Sequence, residues 1–174
     1  MGCDIHTLCV VSNPETKETT AVRCNIEVGG ESSRYDPADF RNYFVFGLLT
    51  DGAVRDSGHP LFNLPNHGAF PYEVDAKGDV FVERFMKNYK DGAKNGYHSP
   101  TYVDRMELTN LVNRLCVYRD TELKTWEDLE MIEEVDGAIQ CLLPMVNYMD
   151  AIHYNLWLNG RQNDQIHMLI MFDS

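Results

Sequence analysis

The chain has 174 residues, which is enough for one hydrophobic core and too few for two, so it reads as a single globular domain spanning residues 1–174. Hydrophobic residues make up 44%, which excludes wholesale disorder. With 27 acidic against 15 basic side chains the net charge is -12, and such a surface repels phosphates, which excludes direct DNA or RNA binding through a basic groove.

In chain order, Cys3 to Val11 is apolar and β-branched and reads as a strand. Asn13-Pro14-Glu15-Thr16 is a turn signal, and Thr19 to Val28 alternates as a half-buried strand, so the two runs predict an antiparallel hairpin through a longish turn, ended by Gly29-Gly30-Glu31-Ser32-Ser33. Asp39 to Leu49 has apolar residues at spacings of three and four, with Asp39 as a cap, and predicts a short helix, with a strand as the alternative. From Thr50 to Gly78 the chain is rich in Gly, Pro, Asp, Asn and His; an irregular segment of this length points to function.

Val80 to Tyr89 is a short amphipathic run, read as helix. Tyr97 to Val103 reads as extended, because Pro100 restrains Ser99. Asp104 followed by Glu107 is a capping-box start for a helix whose stripe is Met106, Leu108, Leu111, Val112 and Leu115. A second helix is expected from about Thr125 to Val135, broken at Gly137, and a third from Ala138 to Leu158, bent at Pro144 and stopped at Asn159-Gly160. Ile166 to Phe172 is a continuous apolar run and reads as a buried central strand. The order predicts an α+β fold: a largely antiparallel sheet from the N-terminal hairpin and the C-terminal strand, with helices packed on one face.

The five cysteines (Cys3, Cys9, Cys24, Cys116 and Cys141) are odd in number and lack a CxxC pair, a pattern of reduced thiols that points to a cytoplasmic protein. No apolar window reaches membrane-spanning length, so no membrane association is expected. Asp4 and His6, two apart on the first strand, point to one face and supply half of an acid/base pair or metal site. His98, just before a capped helix, is the preferred partner for His6; Asp4, His6 and His98 are therefore the candidate catalytic residues and the candidate ligands of a divalent metal. The bland alternative is that Asp4 and His6 bond each other or nearby backbone. A Cys nucleophile with a His base would use Cys3 or Cys9. Arg41 either clamps an anion near a helix N-terminus or pairs with Asp36 or Asp39.

Gly2-Cys3-Asp4-Ile5-His6 resembles the start of a family of uncharacterised phage, prophage and bacterial proteins that begin with GCDIH. Arg41-Asn42-Tyr43-Phe44-Val45-Phe46-Gly47-Leu48-Leu49 resembles that family's RNYxLF block, with a departure at Phe44. His98-Ser99-Pro100-Thr101-Tyr102-Val103 is similar to its HSxSWL block, with Tyr102 replacing a tryptophan, and Phe172-Asp173-Ser174 looks like its closing segment. The resemblance implies a phage-associated origin and a site built from Asp4, His6, Arg41 and His98, with Asn42, Tyr43 and Tyr102 as further binding residues. It names no reaction.

These features lead to an expectation of a small acidic phage-type accessory protein. It would counter a host defence, either by covering a basic surface of a nuclease or CRISPR-type system or by sequestering a small nucleotide signal. The alternative is a hydrolase, metal-assisted by a divalent cation, acting on a nucleotide or phosphate ester through Asp4, His6 and His98. A third reading is an assembly protein without an active site.

Overall fold

The computed structural model describes residues 3–23, 25–28, 31–34, 36–54, 56–91 and 96–173. Gly2, Cys24, Gly29, Gly30 and Ser174, named above, lie outside them. The fold is α+β, as the sequence predicts. A five-stranded sheet has the order β5-β2-β1-β7-β6, where β1 is Ile5–Ser12, β2 Thr19–Val22, β5 Val74–Asp75, β6 Tyr97–Asp104 and β7 Gln165–Asp173. The hairpin is present: β1 runs antiparallel to β2 with Cys9 opposite Val22. β7 lies antiparallel to β1 from Ile5 opposite Phe172 to Ser12 opposite Gln165. β6 is antiparallel to β7, with a register shift between His98 and Thr101, and only the short β5 pairs in parallel. The run Thr19 to Val28 does not stay one strand. It leaves the main sheet after Val22, and β3 (Asn25–Val28) pairs with β4 (Glu31–Arg34) in a separate two-stranded sheet.

Side-chain alternation along β1 and β7 sorts the core into two layers. Ile5, Cys9 and Val11 of β1, with Met168, Ile170 and Phe172 of β7, face one cluster. Leu8, Val10, Leu169 and Met171 face the other. Strands buried on both faces show no polar alternation, which is why Ile166 to Phe172 is continuously apolar. Helices α1 (Tyr43–Leu49), α3 (Arg105–Thr121) and α4 (Leu129–Leu158) share the first face. Helix α2 (Val80–Asp91) covers the opposite one with Val82, Phe85, Met86 and Tyr89, where the sequence expectation has all helices on one face.

The helix ends follow local chemistry. The Asp104–Glu107 capping box of α3 is formed as expected: Asp104 Oδ1 accepts from the Glu107 amide at 2.7 Å, and Glu107 Oε2 accepts from the Asp104 amide at 2.9 Å. Helix α1 is capped by Asn42, which accepts from the Val45 amide, and not by Asp39. Gly137 does not break a helix; one helix runs from Leu129 to Leu158 through both Gly137 and Pro144. A helical glycine costs only about 1 kcal/mol relative to alanine, less than the burial of Val135, Ala138, Ile139 and Leu142 along one stripe provides. The irregular segment after Thr50 is packed into both layers: Val54, Phe62 and Leu64 enter the first cluster and Phe70 the second.

Among the described residues no helix is long and apolar enough to cross a membrane.

Candidate functional site

The start of β1, the end of β7 and the start of β6 meet at one end of the sheet, so Asp4, His6 and His98 do approach the same region. Chain pairing continues past the strand: the Asp173 amide donates to the Asp4 carbonyl at 3.1 Å. The antiparallel register then decides which face each side chain takes. His6 stands opposite Met171 and shares the α2 face, whereas His98 stands opposite Phe172 and shares the face of α1, α3 and α4. The sheet therefore separates the two imidazoles, and His98 is not the partner of His6.

Three separate pairs result. His6 Nε2 lies 3.0 Å from Asp173 Oδ2, and its ring meets Tyr97 edge-on with centroids 5.4 Å apart. Asp4 and Arg41 form an ion pair: Arg41 Nε donates to Asp4 Oδ1 at 2.9 Å, and a second guanidinium nitrogen reaches the same oxygen. Both of these side chains are about half exposed. Hydrogen bonding to Asp4, followed by its charge, raises the pKa of the Arg41 guanidinium above its ordinary value. Arg41 thus takes neither Asp36 nor Asp39; Asp36 accepts from Thr7 Oγ1 and the Ala38 amide. His98 Nε2 lies 3.8 Å from Cys3 Sγ, its Nδ1 lies 3.1 Å from Ser99 Oγ, and its ring stacks on Phe172.

Nothing local in the sequence pairs Asp173 with His6; its antiparallel place beside β1 brings them together. The signal was topological: a buried last strand that returns beside the first sets its closing residue against the opening ones. Burial works to raise the Asp173 carboxyl; donation from His6 and from the Asp4 amide, aided by the charges of His6 and Arg41, overcomes this and holds it below the usual carboxylate range. A carboxyl whose pKa is lowered on folding adds stability above its unfolded value and loses it as pH falls through the native value. Urea unfolding of Asp173→Asn and of the parent protein, followed from about pH 7 to about pH 3, checks this. The variant is expected to lose less stability on acidification; parallel curves would show that the pairing is absent.

The remaining binding candidates do not form one surface. Asn42 caps α1 through the Val45 amide, while the Tyr43 hydroxyl accepts from the Cys3 amide at 3.1 Å and fastens α1 to the start of β1. Tyr102 lies on the α2 face, stacked on His67 at 5.0 Å and edge-on to Phe70 and His167. His67 Nε2 lies 2.7 Å from Glu107 Oε1, and its amide donates to Thr101 Oγ1, which ties the irregular segment to α3. His153 and His167 line a cavity of about 230 Å³ with Asp104, Arg105 and Asp164. Burial lowers the pKa of His167.

The chemistry open to these residues is limited by how they are paired. Among the described residues no group of three or more His, Cys, Asp or Glu side chains is placed to hold a metal ion. Asp4, His6 and His98 do not fit a shared divalent cation, since two of them sit in different ion pairs and the third is on the other face. Cys3, His98 and Ser99 stand in the order of nucleophile, base and orienting hydroxyl, but Cys3 is only 3% exposed and offers a substrate almost no surface.

The excess negative charge lies elsewhere. Thr121 to Asp136 holds seven carboxylates and one lysine, and within it Trp126 is 79% exposed and Leu129 58%. Compared with known proteins, the chain matches no family model, no curated protein and no solved structure.

Proposed function

We propose that this protein is a binding module that covers a basic surface of a partner protein, acting as a phage-type counter-defence inhibitor of a host nuclease or CRISPR-type system. The observation that carries the reading is the Thr121–Asp136 stretch, where a net six negative charges surround an exposed tryptophan. Among the described residues Glu127, Glu130, Glu133 and Glu134 take part in no ion pair, so they are available to an external cation. Complementary charge of this kind steers association and selects the partner, while a central aromatic supplies affinity. The hydrolase reading needs Asp4, His6 and His98 to converge, and the sheet keeps His98 away. A nucleotide ligand needs an available cation, and Arg41 is already held by Asp4.

Mixing the purified protein with purified host nucleases, including CRISPR-type effectors, tests the proposal. The expected result is a complex that weakens steeply with added salt and a nuclease that loses activity within it. Absence of any complex at low salt, with nuclease activity unchanged, would sink the reading.

A further inference from the structure

Helix α4 changes character along its length. Its opening turns belong to the acidic stretch described above, whereas Ala138 to Leu158 carries, besides His153, one charged side chain, Asp150, in a chain that is 24% charged. Asp150 is balanced: Arg105 of α3 donates to its Oδ1 at 2.8 Å. We infer that this neutral outer face of α4, from Leu143 to Leu158, docks on the same face of a second copy of the chain, with the two helices antiparallel about a two-fold axis between Asp150 and Ala151.

The face is built by helical spacing. Leu143, Asn147, Ala151, Tyr154, Trp157 and Leu158 fall in one stripe about 120° wide. All six are exposed, Leu143 at 41%, Tyr154 at 61%, Trp157 at 59% and Leu158 at 59%. Leu142, Met145, Val146 and Met149 hold the helix to the core. The Tyr154 and Trp157 rings stack with centroids 6.2 Å apart, so each restricts the other before any partner arrives. A solvated row that is aromatic and poor in charge has the composition of the centre of a protein interface.

Charge selects the occupant and its orientation. A phosphate-bearing ligand or an anionic membrane needs a cation on this face, and Arg105 is already held by Asp150. A basic segment needs unbalanced carboxylates, and the stripe has none. A second copy, with its net charge of -12, is repelled by the acidic excess elsewhere and finds here a face that sets no unbalanced charge against its own. A parallel pair would bring Glu130, Glu133 and Glu134 beside their counterparts. The antiparallel pair keeps the two Glu134 positions about 50 Å apart along the helix axes, several times the Debye length of about 8 Å in physiological salt.

In that register Leu143 meets Leu158 of the second copy, Asn147 meets Tyr154, and the small side chain of Ala151 leaves room for the Asp150–Arg105 pair. Each contact occurs twice, as a two-fold interface requires. The stripe is about 22 Å long, and a single helix pair of that length lies at the low end of specific interfaces, so a dissociation constant on the order of 10 μM is expected. The pairing is independent of the basic-partner reading and leaves the two acidic stretches at opposite ends of the dimer.

Sedimentation equilibrium of the full chain from about 1 μM to about 500 μM tests the inference. The parent is expected to pass from monomer to dimer in that range, and more readily as added salt screens the net charge of the two copies. Ala151→Glu, which sets two carboxylates against each other at the axis, should weaken the dimer by roughly tenfold or more. Leu143→Lys and Leu158→Glu should each weaken it alone and restore it together, because the antiparallel register faces each lysine with a glutamate of the other copy. Within one chain the two positions are about 22 Å apart, too far to compensate each other. All three side chains are exposed, and circular dichroism checks that the variants keep the fold. A parent that stays monomeric throughout, a dimer that weakens with added salt, or an Ala151→Glu variant that dimerises like the parent overturns the inference. A double charge variant that associates no better than its singles overturns the antiparallel register.

Discussion

Gly47→Ala is expected to destabilise the protein by about 3 kcal/mol or more, measured as a fall in the urea midpoint. In an exposed helix the same change stabilises by up to about 1 kcal/mol, so the sign is diagnostic. Gly47 lies inside α1 and is buried. A Cβ placed there would stand 2.0 Å from the Ser57 carbonyl oxygen and 2.4 Å from the Gly58 nitrogen. Both are backbone atoms and cannot rotate aside. The crossing is reciprocal: a Cβ on Gly58, whose φ is +91, would stand 2.7 Å from the Gly47 carbonyl carbon. Ser57 further locks the two segments, since its hydroxyl donates to the Tyr43 and Val54 carbonyls. Alanine must therefore push α1 off the irregular segment, and α1 carries Tyr43, whose hydroxyl accepts from the start of β1. A midpoint that stays level or rises would show that the two backbones do not touch.

Tyr89→Phe comes next, with an expected loss of about 2–4 kcal/mol from two buried backbone groups left without their partner. The Tyr89 hydroxyl accepts from the Phe70 amide at 3.0 Å and donates to the Thr101 carbonyl at 2.8 Å, and the side chain is 1% exposed. It joins α2, the irregular segment and β6 through one oxygen. Burial raises the pKa of this phenol well above its ordinary value of 10.0, with a smaller contribution from Tyr102, against the opposing donation from Phe70. The unfolded phenol releases its proton near 10 while the native one keeps it, so stability is full below that pH and falls as pH rises above it. The other tyrosines contribute alike to parent and variant. Comparing urea unfolding of the two at neutral pH and above pH 10 isolates Tyr89: the gap between them should narrow in alkali. A gap that is negligible at neutral pH would show that the hydroxyl does not serve both groups.

Where the chain uses one local device, the sequence shows it plainly. The Asp104–Glu107 box, the hairpin opening and the apolar last strand are each set by neighbours a few residues apart. Gly137 misleads because its penalty is small and local, whereas the buried stripe running through it is long. Asp39 misleads because several polar residues precede α1 and only tertiary position selects Asn42. The division of the helices between two faces is not local at all; it follows from β1 and β7 being buried on both sides.

The candidate site shows the same limit. Asp4 and His6 are visible as a pair on one face, but their partners, Arg41 and Asp173, are fixed by strand register and the path of the chain. His98 is close in space to the start of β1, yet one step of pleat puts it on the wrong side of the sheet to meet His6. The exposure of Trp126 is not local in the sequence either, since it depends on the turn that Asp128 closes.

The pairing of β1 with β7 also governs the order of events during synthesis. The central seam of the sheet joins Ile5 to Phe172, segments from opposite ends of the described chain. Contacts of such separation are formed late and at high entropic cost. Strand β1 must wait, unpaired along its β7 edge, until the segment between Ser12 and Gln165 has been made. The hairpin with β2 gives it an early neighbour on one edge only, so the nascent chain depends on the last strand to close its core and remains open to aggregation, or to chaperone capture, until that strand arrives.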